Sequence, residues 1–444
     1  MNASPPQPKA RLLQVLGVAF GVAVIIGNTI GVGILRTPGE IAKHLPSTPF
    51  FLGVWVVGGL YALLGALSLA ELGTMTPKSG GQYVFVRRGL GAYPGFIVGW
   101  SDWISTSGTT GFISIVFSEY LIRLVPSLAG RQTYLSIGVL LAFTIILWQG
   151  IKAGDRTQQA TSLLKAVGLF GLAALCLVLP VRTPPTPVEL QLPHGLPLLT
   201  AFIVSLQAVI YTYDGWSGVL YFSGEVKDPA RDIPRSMMAG VWSVIVIYLL
   251  LNLAYLRVVP VGAMAGDPFV AGTAARAIFG ATGDMIVSIV VVIGVLSAIN
   301  ANLLMASRVP HAMAVDGFLP VAATAVSESG SPRVTLVASA IVSATFILTG
   351  TLDQVLALVA FFFVANYTLS FTSLFVLRRR EPDAPRPYRV PGYPWVTVLA
   401  LAGSVGFLVA GFVADTRNSV RSLIILAASF PVFLVFQRWG RKIG

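Results

Sequence analysis

Long apolar runs separated by short polar stretches make up almost the whole chain, and this pattern predicts helices that cross a membrane. A helix needs about 20 mostly apolar residues to cross the hydrocarbon core. On this basis we predict twelve spans, at residues 12–43, 49–75, 91–124, 133–151, 158–181, 198–224, 237–260, 283–312, 334–350, 353–378, 396–414 and 419–438. The predicted fold class is therefore an all-α integral membrane protein.

The first and sixth runs are interrupted by glycine and polar residues at mid-depth. Residues 27–33 read GNTIGVG, and residues 211–218 read YTYDGWSG. Glycine lowers the stability of a helix by roughly 1 kcal/mol relative to alanine. An unpaired backbone N–H or C=O group in hydrocarbon costs several kcal/mol more. Close packing of small residues could explain the first break alone, but matched breaks in two halves are typical of a transporter binding site. We predict that helices 1 and 6 unwind here and line a cavity.

Composition supports this interpretation and excludes other classes. The chain has a mean hydropathy of +0.79, with 55% hydrophobic and 11% charged residues, which fits no soluble class. The net charge of +12 comes from basic residues scattered between apolar runs, so nucleic-acid binding is not expected. Lys and Arg favour one side of the predicted membrane by roughly two to one, which predicts that both termini are cytoplasmic.

No pattern in the chain predicts catalysis or a bound metal. The three histidines are scattered without metal-ligand spacing, and no nucleophile–base or phosphate-binding motif is present. The one cysteine, Cys176, lies in an apolar run, so it cannot form an intramolecular disulfide. We therefore expect no enzyme activity, no metal and no cofactor.

A Pro-rich segment at residues 183–187 separates two halves of five spans each. The predicted organisation is a cytoplasmic tail at 1–11, a first repeat at 12–181, a second repeat at 198–378, a last pair of spans at 396–438 and a cytoplasmic tail at 439–444. We interpret the basic residues of the cytoplasmic loops, including the run from Arg378 to Arg389, as solvated anchors at the membrane surface.

Four stretches of the chain resemble the amino acid–polyamine–organocation transporters, and within them the L-type (LAT-like) amino acid transporters. They are GNTIGVGILRTPGEIA from Gly27, AELGTMTPKSGGQYVFVRRGLG from Ala70, YTYDGWSGVLYFSGEVKDPARDIPRSM from Tyr211, and NANLLMASRVPHAMAVDGFLP from Asn300. The resemblance implies a LeuT-like fold, in which ten core helices form two inverted five-helix repeats and two C-terminal helices lie outside them. It also implies that substrate binds near the bilayer midplane, between the two breaks.

The resemblance assigns the two ends of an amino acid substrate. Gly31, Val32 and Gly33 match the family's carboxylate cradle, at the positive end of a half-helix. The family often has Ser or Thr where this chain has Val32, so a hydroxyl contact is lost there. Thr29 and Tyr211 would offer main-chain carbonyls to the substrate ammonium.

Asp214, Gly215 and Trp216 of the second break are also predicted to contact the substrate, and Asp214 and Trp216 each have two interpretations. An ionisable residue at mid-membrane should be functional or paired. Asp214 could receive the cationic tail of a substrate, or it could contact the α-ammonium or a neighbouring helix without setting specificity. Trp216 could fold over the substrate as a gate, or it could pack the second half-helix.

Lys165 is a second charge inside a predicted span. In LeuT-like sodium symporters the matching neighbourhood holds Na⁺, and the resemblance implies that a lysine ammonium takes its place here. The alternative is a lysine that snorkels to the membrane surface.

Other polar residues in apolar runs are weaker candidates. Ser107, Thr109, Asn300 and Asn302 could face substrate or bond helix to helix. Asp102 and Glu119 are expected near the span ends or paired with loop arginines.

The predicted function is sodium-independent exchange of L-amino acids by alternating access. Alternatives are a proton-coupled amino acid symporter, an antiporter of cationic amino acids or polyamines, and, from a different class, a transporter-like amino acid sensor. The external loop at residues 126–131 lacks the cysteine that would link a heavy chain, so no such partner is expected. We expect a stand-alone, multi-pass protein of a bacterial inner membrane, whose partners are its amino acid substrate and the lipid bilayer.

Overall fold

The computed structural model describes residues 12–31, 33–186, 188–349, 352–414 and 416–443. Within these ranges the regular structure is helical, apart from one β-bridge between Leu16 and Val226. The helices are α1 Val18–Thr29, α2 Gly33–His44, α3 Thr48–Met75, α4 Gln82–Leu90, α5 Ala92–Leu124, α6 Gln132–Trp148, α7 Ile151–Val178, α8 Leu196–Tyr213, α9 Pro229–Val258, α10 Val261–Met264, α11 Val270–Phe279, α12 Gly283–Val315, α13 Arg333–Thr349, α14 Leu352–Arg380, α15 Trp395–Ala414 and α16 Thr416–Ile443.

About half of these helices are long and apolar enough to cross a membrane. Eight helical segments in the described residues meet this test, and the bent pair α1 and α2 would make a ninth. Helices α6 and α13 are also apolar but shorter, at 17 residues each. The protein is therefore a multi-pass, all-α membrane protein, and the number twelve stays a prediction.

Some helices begin earlier than the apolar runs suggest. Helix α7 already starts at Ile151, directly after Gly150, and α9 starts at Pro229 behind the N-cap residue Asp228. Proline at the first helical position and an aspartate cap both favour helix initiation. Because these first turns are polar, hydropathy alone does not mark them as parts of the spans.

The breaks lie at the centre of the bundle. Helix α1 packs against α7, α9 and α12, while α2 packs on α8 and the long helices α5 and α12 lie against each other. At the periphery, only 17% and 22% of the residues in the most apolar stretches of α15 and α16 are buried. The corresponding share for Val270–Val315 is 61%. Few residues of the last two helices are thus buried, and neither helix lines the cavity described below.

Part of the basic run near residue 380 is buried in an ion-pair network, which corrects its interpretation as surface anchors. The carboxylate of Glu71 on α3 is fully buried and accepts hydrogen bonds from Arg378 Nε at 2.8 Å and from the Val390 main-chain N–H at 2.8 Å. Arg386 Nε lies 3.3 Å from the same carboxylate. A buried carboxylate is stable only with such partners, so these arginines hold the segment after α14 against α3.

Helix α4 lies between α3 and α5 in the chain. Two of its side chains bind Asp316, directly after the end of α12. Tyr83 donates a hydrogen bond to Asp316 at 2.8 Å, and Arg87 lies 2.7 Å from the same carboxylate. Burial and then the charge of Asp316 raise the pKa of the Tyr83 phenol, so this group stays protonated and donates.

Candidate functional site

The two interrupted runs are broken in the structure, and the breaks touch. Helix α1 ends at Thr29 and α2 starts at Gly33, with a bend of 47° between them. Helix α8 ends at Tyr213, and a short 3-10 helix, Gly218–Phe222, follows. Gly215 between them has φ of +112°, and a Cβ on it would lie 2.9 Å from the Thr29 nitrogen. Only glycine fits this close approach.

A cavity of about 260 Å³ lies between the two breaks. It is smaller than the roughly 300–1,000 Å³ of pockets for drug-sized ligands, which favours a small metabolite. The structure brings eight of the residues predicted from the sequence to its wall, namely Thr29, Gly31, Gly33, Thr109, Tyr211, Asp214, Gly215 and Asn302. Val32 lies outside the described residues.

The start of α2 gives the cavity a positive end. Gly33 begins this helix, whose first main-chain N–H groups have no intrahelical acceptors. The space beside the Gly31 Cα is open, with nothing within 4 Å of a built Cβ, although its own N–H donates to Thr29 O at 3.0 Å. A carboxylate at this end would meet N–H donors and the positive end of the helix dipole.

Main-chain carbonyls form the opposite, electron-rich end, and one phenol lies between two of them. Tyr248 Oη on α9 lies 2.8 Å from Thr29 O and 2.9 Å from Thr212 O. A phenol has one proton, so it can donate to one of these carbonyls at a time. The predicted Tyr211 carbonyl accepts from the Asp214 N–H at 3.2 Å. Sequence reasoning missed Tyr248 and Thr212, because neither stands out in an apolar helix.

Asp214 brings a carboxylate to the cavity wall. Its Oδ1 accepts a hydrogen bond from Tyr367 Oη on α14 at 2.7 Å, and that hydroxyl also lies 3.2 Å from Ser217 Oγ. No Lys, Arg or His among the described residues forms an ion pair with it. Arg36 on α2 also lines the cavity, and its Nε donates to the Pro268 carbonyl at 3.2 Å.

Trp216 does not line the cavity. The side chain is 3% exposed, and its ring stacks on Tyr367 with centroids 4.7 Å apart. A Cβ on Gly65 of α3 would lie 2.7 Å from the indole. In this conformation Trp216 packs behind the second break, between α3 and α14.

The weaker candidates separate into two groups. Asn302 lines the cavity and donates to Asn28 Oδ1 at 2.9 Å. Asn300 instead donates to Gln158 Oε1 on α7 at 2.7 Å, and the Ser107 carbonyl accepts from Ser343 on α13 at 2.9 Å. The last two residues join helices and do not face the cavity.

Lys165 points into the bundle and meets the break in the first run. Its side chain is 1% exposed, and Nζ donates to Gly27 O at 2.9 Å and to Ile30 O at 2.5 Å. These carbonyls belong to the end of α1, where intrahelical donors run out. The ammonium thus satisfies groups that the break leaves free, at a place far from a snorkelling position.

Neither a metal site nor a reactive thiol emerges from the described part of the chain. No group of three His, Cys, Asp or Glu side chains there could hold a metal ion, and Cys176 is buried. The arrangement places a helix N-terminus and main-chain carbonyls at the wall of one small cavity, which suits a small zwitterion.

Comparisons with known proteins point to one family of transporters. The family model described as amino acid permease matches residues 13–436. The serine/threonine exchanger SteT of Bacillus subtilis (strain 168) is 27% identical over 428 residues, which cover 95% of this chain and 96% of that protein. The b(0,+)-type amino acid transporter 1 of Rattus norvegicus is 25% identical over 453 residues, covering 99% and 92%. The Asc-type amino acid transporter 1 of Mus musculus is 27% identical over 450 residues, covering 98% and 83%.

These relatives are transporters and not enzymes, so no catalytic activity is assigned to the chain. Its cavity between two broken helices fits the same class of protein. The match over nearly the full length means that the chain belongs to the amino acid permease family, within the amino acid–polyamine–organocation transporters.

Proposed function

We propose that this protein is a sodium-independent exchanger of L-amino acids that works by alternating access. The observation that carries the proposal is the contact of Lys165 Nζ with the carbonyls of Gly27 and Ile30. In LeuT-type transporters, carbonyls of unwound helices coordinate the coupling ion. An ammonium that occupies them removes both the ligands and the space for Na⁺, and it adds a repelling charge.

The substrate is an α-amino acid lying across the cavity. Its carboxylate binds at the start of α2, near Gly31, Val32 and Gly33, and its ammonium binds toward the carbonyls of Thr29 and Tyr211. The serine/threonine exchanger among the relatives supports both exchange and a small substrate. The cavity volume of about 260 Å³ supports the same size class.

The proposal includes a LeuT-like arrangement of twelve spans, with inverted repeats at 12–181 and 198–378. The matched breaks and the peripheral position of α15 and α16 support it. We further propose that the protein lies in a bacterial inner membrane with both termini in the cytoplasm, and that it works without a disulfide-linked heavy chain. The external loop at 126–131 has no cysteine to form that link.

Uptake into proteoliposomes tests the transport mode. Purified protein is reconstituted without sodium, and entry of radiolabelled L-threonine is compared in vesicles preloaded with unlabelled L-threonine and in empty vesicles. Exchange predicts that uptake depends on the preload and that added Na⁺ does not change it. Uptake that requires an inward Na⁺ gradient would overturn the proposal, and uptake into empty vesicles driven by a pH gradient alone would favour proton-coupled symport.

A second candidate function, exchange of cationic amino acids, is favoured by Asp214. Its carboxylate lines the cavity without a basic partner among the described residues, so it could pair with a lysine- or arginine-like tail. A competitor panel of neutral, cationic and acidic amino acids in the same uptake assay distinguishes this substrate class from neutral exchange.

A further inference from the structure

Three carboxyl groups in the described part of the chain are completely buried, and only one of them lacks a basic partner. Glu71, Asp102 and Glu225 each have 0% exposure. Glu71 is held by two arginines, and Glu225 forms an ion pair with Arg308 at 3.1 Å. Asp102 on α5 was expected near a span end or beside a loop arginine, but no Lys, Arg or His of these residues pairs with it.

Hydroxyl groups from the cavity wall are the contacts of Asp102. Its Oδ1 accepts a hydrogen bond from Tyr221 Oη at 2.7 Å and another from Thr106 Oγ1 at 3.3 Å. Its Oδ2 contacts no donor among the described residues. Because both Tyr221 and Thr106 line the cavity, one layer of side chains separates this carboxyl group from the substrate site.

The groups that face Asp102 offer no positive charge. The 3-10 helix Gly218–Phe222 brings the phenol of Tyr221, and the break after α8 brings the second carboxyl group, Asp214. The phenol of Tyr367 on α14 faces Tyr221 and holds Asp214.

The ionisable groups on the other helices around α5 are engaged elsewhere. Arg308 on α12 is bound by Glu225, and Tyr83 on α4 donates to Asp316. Nδ1 of His311, also on α12, lies 3.1 Å from the Ala323 carbonyl, and Arg87 on α4 pairs with Asp316. Further from α5, the buried ammonium of Lys165 on α7 is bound to main-chain carbonyls. No counter-ion is therefore available to Asp102 from these elements.

An isolated carboxylate in a low-dielectric interior is costly, and membrane carboxyl groups without a counter-ion commonly serve proton relays. We propose that Asp102 is a proton-binding site of this transporter, loaded from the substrate cavity, which makes exchange depend on pH. This inference rests on the proposed exchange function, since the pH dependence is measured through exchange.

The step is a simple proton transfer. Hydronium in the cavity gives one proton to the Asp102 carboxylate, which leaves water and a neutral carboxylic acid, and the reverse transfer to water restores the carboxylate. The neutral acid lets the bundle close around Asp102 without burying a charge. Exchange is therefore faster when the group is protonated and slows as the pH rises.

The test compares three proteins in the same proteoliposomes: the wild type, Asp102→Asn, which mimics the neutral acid and can still accept from Tyr221, and Glu119→Gln as a control. Glu119 is an exposed carboxylate on the same helix. L-threonine exchange is measured with equal pH on both sides, between about pH 5 and about pH 8. Infrared difference spectra of the full-length wild type and Asp102→Asn follow the carbonyl stretch of a protonated carboxylic acid over the same range.

We expect wild-type and Glu119→Gln exchange to fall by up to about tenfold per pH unit on the alkaline side, as for one proton. Exchange by Asp102→Asn should stay fast and vary by less than about twofold, and the titrating infrared band should be missing. A wild-type rate independent of pH, or the wild-type profile in Asp102→Asn, would overturn the proposal. Absence of L-threonine exchange in every protein would count against the proposed function, and the infrared titration would then still decide whether Asp102 binds a proton.

Discussion

The ammonium nitrogen of Lys165 lies 2.5 Å from the carbonyl oxygen of Ile30, the first residue beyond the end of α1. A side chain from one helix therefore completes the hydrogen bonding of a break in another. A hydrogen bond to a charged group contributes about 1.5–3 kcal/mol. The geometry of the first break, which forms part of the cavity wall, thus depends on a residue that does not line this cavity.

Replacing Lys165 by Met keeps much of the side-chain volume but removes the ammonium. We expect L-threonine exchange in proteoliposomes to fall at least tenfold, about 1.4 kcal/mol, because the Gly27 and Ile30 carbonyls lose their donor. Lys152→Met, at an exposed position of the same helix, is the matched control and should exchange normally. Wild-type exchange by Lys165→Met would remove this residue from the mechanism.

Gly31→Val tests whether the cavity is the substrate site. A Cβ atom placed on Gly31 would have no other atom within 4 Å, and the residue does not have a left-handed φ. Because Gly31 lines the cavity, the valine side chain should occupy part of that space without straining the backbone. We expect at least a tenfold loss of L-threonine affinity with an unchanged melting temperature in detergent. Gly138→Val, on α6 and with equally open space, should change neither quantity. Normal binding by Gly31→Val would place the substrate elsewhere.

Gly215→Ala should instead destabilise the protein. At φ of +112° the new methyl group would lie 2.9 Å from the Thr29 nitrogen, and strain at such a position costs about 1–3 kcal/mol. Gly130→Ala provides the comparison, since Gly130 has φ of +80° but open space around it. We expect the larger drop in melting temperature for Gly215→Ala. Equal drops would mean that the contact between the two breaks is loose.

Asp214→Asn separates the two roles left open for this residue. If the carboxylate binds a cationic tail, competition by L-lysine and L-arginine against labelled L-threonine should weaken at least tenfold, while competition by neutral amino acids stays unchanged. Asp284→Asn, at an exposed site of α12, is the control for overall charge. An unaltered ranking of competitors would leave Asp214 as a contact of the α-ammonium or of Tyr367.

Glu225 ties several elements together at one end of the bundle. Its carboxylate binds Arg308 and Ser79, and its main-chain carbonyl accepts from the Leu16 N–H at 3.0 Å. Glu225→Ala leaves the buried guanidinium of Arg308 without its carboxylate, which typically costs about 3–5 kcal/mol of folding stability. Glu381→Ala breaks a partly exposed pair with Arg88 and should cost at most about 1 kcal/mol. Melting curves in detergent compare the two variants.

The two breaks can be located from the sequence because glycine and polar residues at mid-depth are unfavourable in an unbroken membrane helix. Lys165 and Asp214 are visible for the same reason, as isolated charges in apolar runs. Tyr248 and Tyr367 cannot be recognised from the sequence as residues of the site. A tyrosine that forms a buried hydrogen bond and one that faces lipid look alike in an apolar sequence. The direction of a side chain around its helix depends on packing between distant segments.

The burial of charged side chains is equally hard to read from the chain. Arg378 and Arg386 look like surface anchors, yet both reach the buried carboxylate of Glu71, more than 300 positions earlier. Asp102 likewise has its partner on a distant segment, at Tyr221. Such pairs form only when the folded bundle brings remote segments together.

Lys165 also bears on the energetics of transport. A cation that is part of the protein never crosses the membrane with the substrate, so it moves no net charge when one zwitterion replaces another. For such an exchange the transmembrane voltage does no work through this residue. In the proposed exchange, the concentration ratios of the exchanged amino acids across the membrane then set the direction of flow, and the total amount on each side stays constant.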